Sequence, residues 1–154
     1  MDSGAILRAL HVAGAVLLLG NVTVTGFWAT YLYRARGGLP FRPVARAILW
    51  SDLLFTLLGG ALLTISGILL VMRRGLPVLS TPWLLQGIGA LVVSTLLWLA
   101  FLLPIQWRLE RVAPGDDATL RRLFARWSAI GWAATAVLFY GLWCMVSKHP
   151  GVGA

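Results

Sequence analysis

The chain has 154 residues, of which 59% are apolar and only 12% charged. A soluble domain carries about a quarter charged residues, so a surface designed for water is excluded and lipid is the expected coat. The net charge of +8 does not argue for nucleic acid, because the basic residues fall in short runs between apolar stretches, as they do beside membrane spans.

A helix needs about 20 mostly apolar residues to cross a bilayer, and the sequence offers four such stretches. The first is expected over residues 5–33, stopped by Arg34, Arg36, Gly37, Gly38 and Pro40. Asp2 stands where a signal peptide would carry a basic residue, and the apolar run is too long for an ordinary signal. A retained helix is expected. The second covers 44–72 and ends at Arg73, Arg74 and Gly75. The third covers 82–107, with Pro82 suited to the first helical position after Ser80 or Thr81; Pro104 is placed to bend its end. The fourth covers 120–147, after the turn Pro114-Gly115-Asp116-Asp117 and before Pro150. Short loops make neighbours antiparallel. The expected fold is all-α: a single membrane domain, 1–154, built as an up-down-up-down bundle of four transmembrane helices.

Orientation follows from the arginines. Arg34, Arg36, Arg42, Arg46, Arg108, Arg111, Arg121, Arg122 and Arg126 share one side, against Arg8, Arg73, Arg74 and Lys148 on the other. The positive-inside bias therefore puts both termini on the non-cytoplasmic side. Trp28, Trp50, Trp107 and Trp127 are expected near the inner boundary and Trp83 and Trp143 near the outer one, with Trp98 and Trp132 deeper. Gly60 and Thr64 form a small-x-x-x-small pair of the kind that packs helices. Gly14, Gly20, Gly26, Gly87 and Gly89 suit the same role, or leave room for a flat ligand. The single Cys144 serves as apolar filler.

Ionisable and amide groups inside a span are costly and mark candidate sites. His11 lies two turns from the outer end of the first helix, with Arg8 on the same face. A neutral imidazole there suits a haem iron or another metal, and Arg8 suits a propionate. A hydrogen bond to a neighbouring helix and a snorkelling arginine are the plain alternatives. Asp52 lies two turns into the second helix, with Thr56 on its face. It is expected to pair with Arg46 or another inner arginine, to accept from Ser or Thr hydroxyls, or to be protonated in an apolar site. Proton handling or ligand binding is the sharper reading. Asn21, near the midplane of the first helix, is expected to bond across helices. His11 and Asp52 fall in opposite leaflets and so do not form a dyad. Lys148 and His149 close the fourth helix on the side of His11. They form a basic interfacial end, or His149 supplies a second axial ligand. The sequence carries no Walker loop, zincin motif, nucleophile elbow or Cys-x-x-Cys pair.

Leu10-His11, Gly14 and the run Leu18 to Trp28, together with Asp52, Thr56, Thr64, Gly67, Trp127, Gly131, Met145 and Lys148, resemble a bacterial family of predicted integral membrane proteins of unknown function. That family is distantly similar to the membrane domain of copper-resistance protein D and to the HemJ type of protoporphyrinogen oxidase. The resemblance implies a haem-associated bundle with a first-helix histidine, which His11 matches. The lysine on which the HemJ type relies has no intramembrane counterpart, since Lys148 is the only lysine. The reading is a multi-pass protein of the bacterial cytoplasmic membrane that binds haem b or a porphyrin through His11. Its partners would be the bilayer and a membrane redox protein or a second copy of the chain. A non-enzymatic scaffold and an oligomeric transporter using Asp52 and Asn21 stand as alternatives.

Overall fold

The computed structural model describes residues 3–37 and 39–148. Four helices long and apolar enough to cross a membrane run Ser3–Ala35 (α1), Arg42–Arg74 (α2), Pro82–Glu110 (α3) and Asp117–Ser147 (α4). No strand occurs among the described residues. The helices overrun the expected spans mostly at their basic ends. A helix of 33 residues is about 50 Å long at about 1.5 Å per residue, against a hydrocarbon core of about 30 Å. Arginine is a good helix former, so charge marks the edge of the hydrocarbon and not the end of the helix.

The true ends are set by capping. Gly75 adopts φ +60°, and the N–H groups of Gly75 and Leu76 return to the carbonyls of Met72 and Val71, which closes α2. Pro82 opens α3 as expected. Asp116 caps α4 by accepting from the Thr119 N–H at 3.0 Å, so this helix starts before residue 120. Lys148, at φ 50°, ends it.

Two helices contain one widened turn each, Asp52–Thr56 in α2 and Trp98–Leu102 in α3. The second lies directly before Pro104, which has no N–H to offer the preceding turn and crowds its carbonyl. The proline is thus absorbed by a wider turn.

The bundle is built from two tight pairs. On α1 and α2, Gly14 and Gly59 interlock: a Cβ on Gly14 would lie 2.6 Å from the Leu63 nitrogen, and one on Gly59 2.7 Å from the Leu18 nitrogen. On α3 and α4, Gly87 lies under Met145 and Gly141 against Ala90. The Gly60 and Thr64 pair does not pack a helix. Gly60 faces open space, as do Gly20 and Gly89, because small-residue spacing does not say which face meets a neighbour.

The pairs are joined most firmly at the end that carries the 36–41 and 111–116 loops, here the basic end. Phe41, Ile48, Leu109, Leu123 and Phe124 form its core, with Tyr33 stacked on Phe124 at 4.0 Å. Trp127 belongs to this core at 6% exposure. Arg36 bridges to Asp117 at 2.8 Å, and Arg46 to Glu110 at 3.8 Å. Towards the opposite, far end, each pair stays together, but α2 and α3 do not continue to pack on one another.

Candidate functional site

Just above the packed basic end, a polar cluster centres on Asp52. Its side chain accepts hydrogen bonds from groups on three helices. Asn21 Nδ2 of α1 donates at 3.0 Å and Thr56 Oγ1 of α2 at 3.3 Å, both to Oδ1. Gln106 Nε2 and Trp98 Nε1 of α3 donate to Oδ2 at 2.6 and 3.4 Å. Asn21 also donates to Thr56 Oγ1 at 3.0 Å, while its carbonyl accepts from Thr25 and Ser51.

The expected partner Arg46 is engaged with Glu110 instead. It lies nearer the basic end, where an arginine can stay in contact with the interface. Asp52 is 6% exposed, and no salt bridge to it occurs among the described residues.

Asp52 also borders a cavity of about 360 Å³ enclosed by all four helices. Asp52, Thr56 and Trp98 lie at its base. Leu18 of α1, Gly60 and Thr64 of α2, Leu91 of α3, and Trp132 and Leu138 of α4 form its walls. The hydroxyls of Thr64, Ser94, Thr95 and Thr135 are spent on backbone carbonyls, three on their own helix and Ser94 on Ala134. The walls therefore present hydrocarbon. Ile65 is 61% exposed, and Thr64 and Thr95 are exposed too. The cavity thus opens sideways to lipid where α2 and α3 part. An apolar chamber of this size with a few convergent polar groups has the character of a small-molecule site.

His11 lies elsewhere. Its Nδ1 is 3.0 Å from the Leu63 carbonyl and 3.3 Å from Ser66 Oγ. A Cβ on Gly67 would come within 3.1 Å of its ring, so the glycine makes the seat. Leu63 is eleven residues beyond Asp52, roughly 16 Å along α2, and the expected separation of His11 from Asp52 holds. His11 does not border the cavity, and the Gly14–Gly59 contact leaves no slot for a flat group in the α1/α2 seam. Arg8 is exposed on α1. Lys148 ends α4, its N–H bonded to the Cys144 carbonyl, where α4 packs on α3. His149 lies outside the described residues. No cluster of three or more His, Cys, Asp or Glu that could hold a metal occurs among the described residues.

The structure thus brings Asn21, Asp52 and Thr56 together and keeps His11, Arg8 and Lys148 apart from them. It adds Gln106, Trp98 and Ser51, which sequence reasoning did not assign to the site. Gln106 sits at the expected edge of the third span, where an amide looks interfacial. Its signal is the nearby Pro104, whose widened turn at Trp98–Leu102 shifts the face on which the following residues lie.

A family model described as "Predicted integral membrane protein (DUF2269)" matches residues 5–149, and the chain belongs to that family. No curated protein and no solved structure matches it.

Proposed function

We propose that this member of a predicted integral membrane protein family is a receptor for a small, mainly apolar molecule that enters from the bilayer. The observation that carries this is the sideways-open cavity with the Asp52 cluster at its base. The hydrocarbon walls supply binding energy by burial of the ligand. The carboxylate and its donors orient whatever polar group the ligand carries. Transport by an oligomer through Asp52 and Asn21 would use the same chamber. The test is photolabelling in nanodiscs with an aryl diazirine, with labelled residues mapped by mass spectrometry. Saturable label at Thr64, Thr95 and Trp132, lost in Gly60→Trp, is expected. Label spread evenly over the lipid-facing helix surfaces would sink the reading.

A second reading, haem b or a porphyrin on His11, is favoured by one feature. A neutral imidazole whose Nδ1–H donates to a carbonyl is held with Nε2 as the coordinating nitrogen, and Nε2 has no hydrogen-bond partner among the described residues. His11 would hold the iron through Nε2, and Arg8, one turn away on α1, would meet a carboxylate of the group. The haem would supply one-electron chemistry, and the resemblance to haem-associated bundles points the same way. An absorption spectrum after haem-replete expression should show a Soret band that His11→Ala abolishes; a colourless wild-type protein removes this reading. The alternative of a non-enzymatic accessory subunit, with its arginines against anionic lipid or a partner, predicts neither label nor haem and a stable partner that co-purifies through the two basic loops.

On the arginine bias we propose that the basic end faces the cytoplasm and both termini lie outside. Cysteines introduced at Ala113 and Leu76 report this through an impermeant maleimide: Leu76→Cys should react from outside and Ala113→Cys should not.

A further inference from the structure

We infer that the ligand of the cavity is an organic monocation, such as an amine or quaternary ammonium with an apolar body. The inference rests on the cavity reading above and names the class of molecule that site takes.

The reasoning starts from the neighbours of Asp52. Asn21, Thr56, Trp98 and Gln106 all donate to it. An ionised carboxylate is acceptor-only, and all four bonds as placed run towards it, the Trp98 indole being able only to donate. As placed, the Asn21 carbonyl accepts from Thr25 and Ser51 while its amide nitrogen faces Asp52. The site is thus shaped for a carboxylate, yet every partner is neutral. A buried carboxylate with only neutral partners is stabilised by an opposite charge beside it and otherwise takes up a proton. Neither salt bridge among the described residues reaches it.

The cavity supplies the place for the missing charge. Asp52 faces its base beside the Trp98 ring, and Trp127 and Trp132 also line it. Indole faces attract cations, most strongly away from water. A hydrated inorganic ion does not suit hydrocarbon walls, and a single carboxylate is a poor cage for a dehydrated one. A cation whose charge is wrapped in carbon satisfies both the base and the walls. Its route is the lateral opening between α2 and α3.

The experiment uses a charged and a neutral molecule of one shape. Benzyltrimethylammonium and neopentylbenzene differ by a nitrogen in place of a carbon. Each is titrated as a competitor against the aryl diazirine label in nanodiscs, on the wild type and on Asp52→Asn. Partition into lipid is common to both proteins, so the change in each competitor's potency between them isolates the side chain. The expected result is a loss of at least about ten-fold in the cation's potency in Asp52→Asn, with the neutral molecule unchanged. Gln106 can turn its unpartnered carbonyl to the new amide, which favours folding of this variant. Should it fail to fold, wild-type titrations across pH decide: cation potency should fall as Asp52 is protonated, while neutral potency stays level. Among groups packed near Asp52, Trp98, Gln106, Asn21, Thr25, Ser51 and Thr56 do not titrate in the accessible range. Equal behaviour of the two competitors, with cavity label present, overturns the cation inference alone. Absence of cavity label overturns the cavity reading and this inference with it.

Discussion

Asp52 is held by donors from α1, α2 and α3, so the side chain is also a structural tie. Removing it leaves several donors without an acceptor where no water reaches. Each buried unmatched polar group costs about 1–3 kcal/mol, and repacking recovers part of the sum. Asp52→Ala should therefore destabilise the protein by about 3 kcal/mol in detergent unfolding, and Asp52→Asn by less. Equal stability of Asp52→Ala and wild type would mean the cluster holds nothing together. A second residue with a testable charge is Asp116 at the start of α4. The bond from the Thr119 N–H holds its carboxyl below the usual carboxylate range. A group whose folded value is depressed stabilises above its unfolded value and loses that contribution as pH falls through the folded one. Hydrogen exchange at the first turn of α4 should thus speed up, relative to intrinsic rates, as pH drops below about 4. Asp116→Asn, which still caps, should lose that dependence. At this scale the sequence made Asn21, Asp52 and Thr56 visible, because polar groups stand out in apolar helices. Their mutual contact was not visible, since it depends on the register between helices. The choice of Glu110 over Asp52 as the partner of Arg46 was hidden for the same reason.

At the scale of elements, close backbone approach and open space fall on neighbouring glycines. Gly14 and Gly59 admit no Cβ, while Gly20 and Gly60 meet nothing within 4 Å. Gly14→Ala and Gly59→Ala should lower the midpoint of thermal unfolding by forcing α1 and α2 apart. Gly20→Ala and Gly60→Ala should leave it unchanged or raise it, since alanine favours a helix by about 1 kcal/mol over glycine. Reversed signs would contradict the α1/α2 interface. Helix number and type were legible because apolar length is a strong signal. The small-x-x-x-small pattern at Gly60 and Thr64 misled, because it fixes a stripe on one helix but not what faces it. The widened turns were not legible beyond the hint at Pro104; Asp52–Thr56 carries no proline or glycine to announce its own.

Over the whole molecule, two helix pairs are riveted at the basic end by aromatic packing and the Arg36–Asp117 and Arg46–Glu110 bridges, and they part towards the far end. A cavity results from contacts that α2 and α3 do not make. Sequence patterns report apolar faces, and in lipid a face towards bilayer and a face towards a chamber look alike. The fold class and the four spans could therefore be read in advance, but the chamber could not. The central claim is that this chamber exists in a bilayer and takes up a molecule. An electron-density map of the protein crystallised from a lipid mesophase tests it most directly. The expected result is α2 and α3 separated beyond Asp52, with elongated non-protein density running from Asp52 past Trp132 to the opening. Packing of α2 on α3 along their full length, with the space closed, would contradict the account.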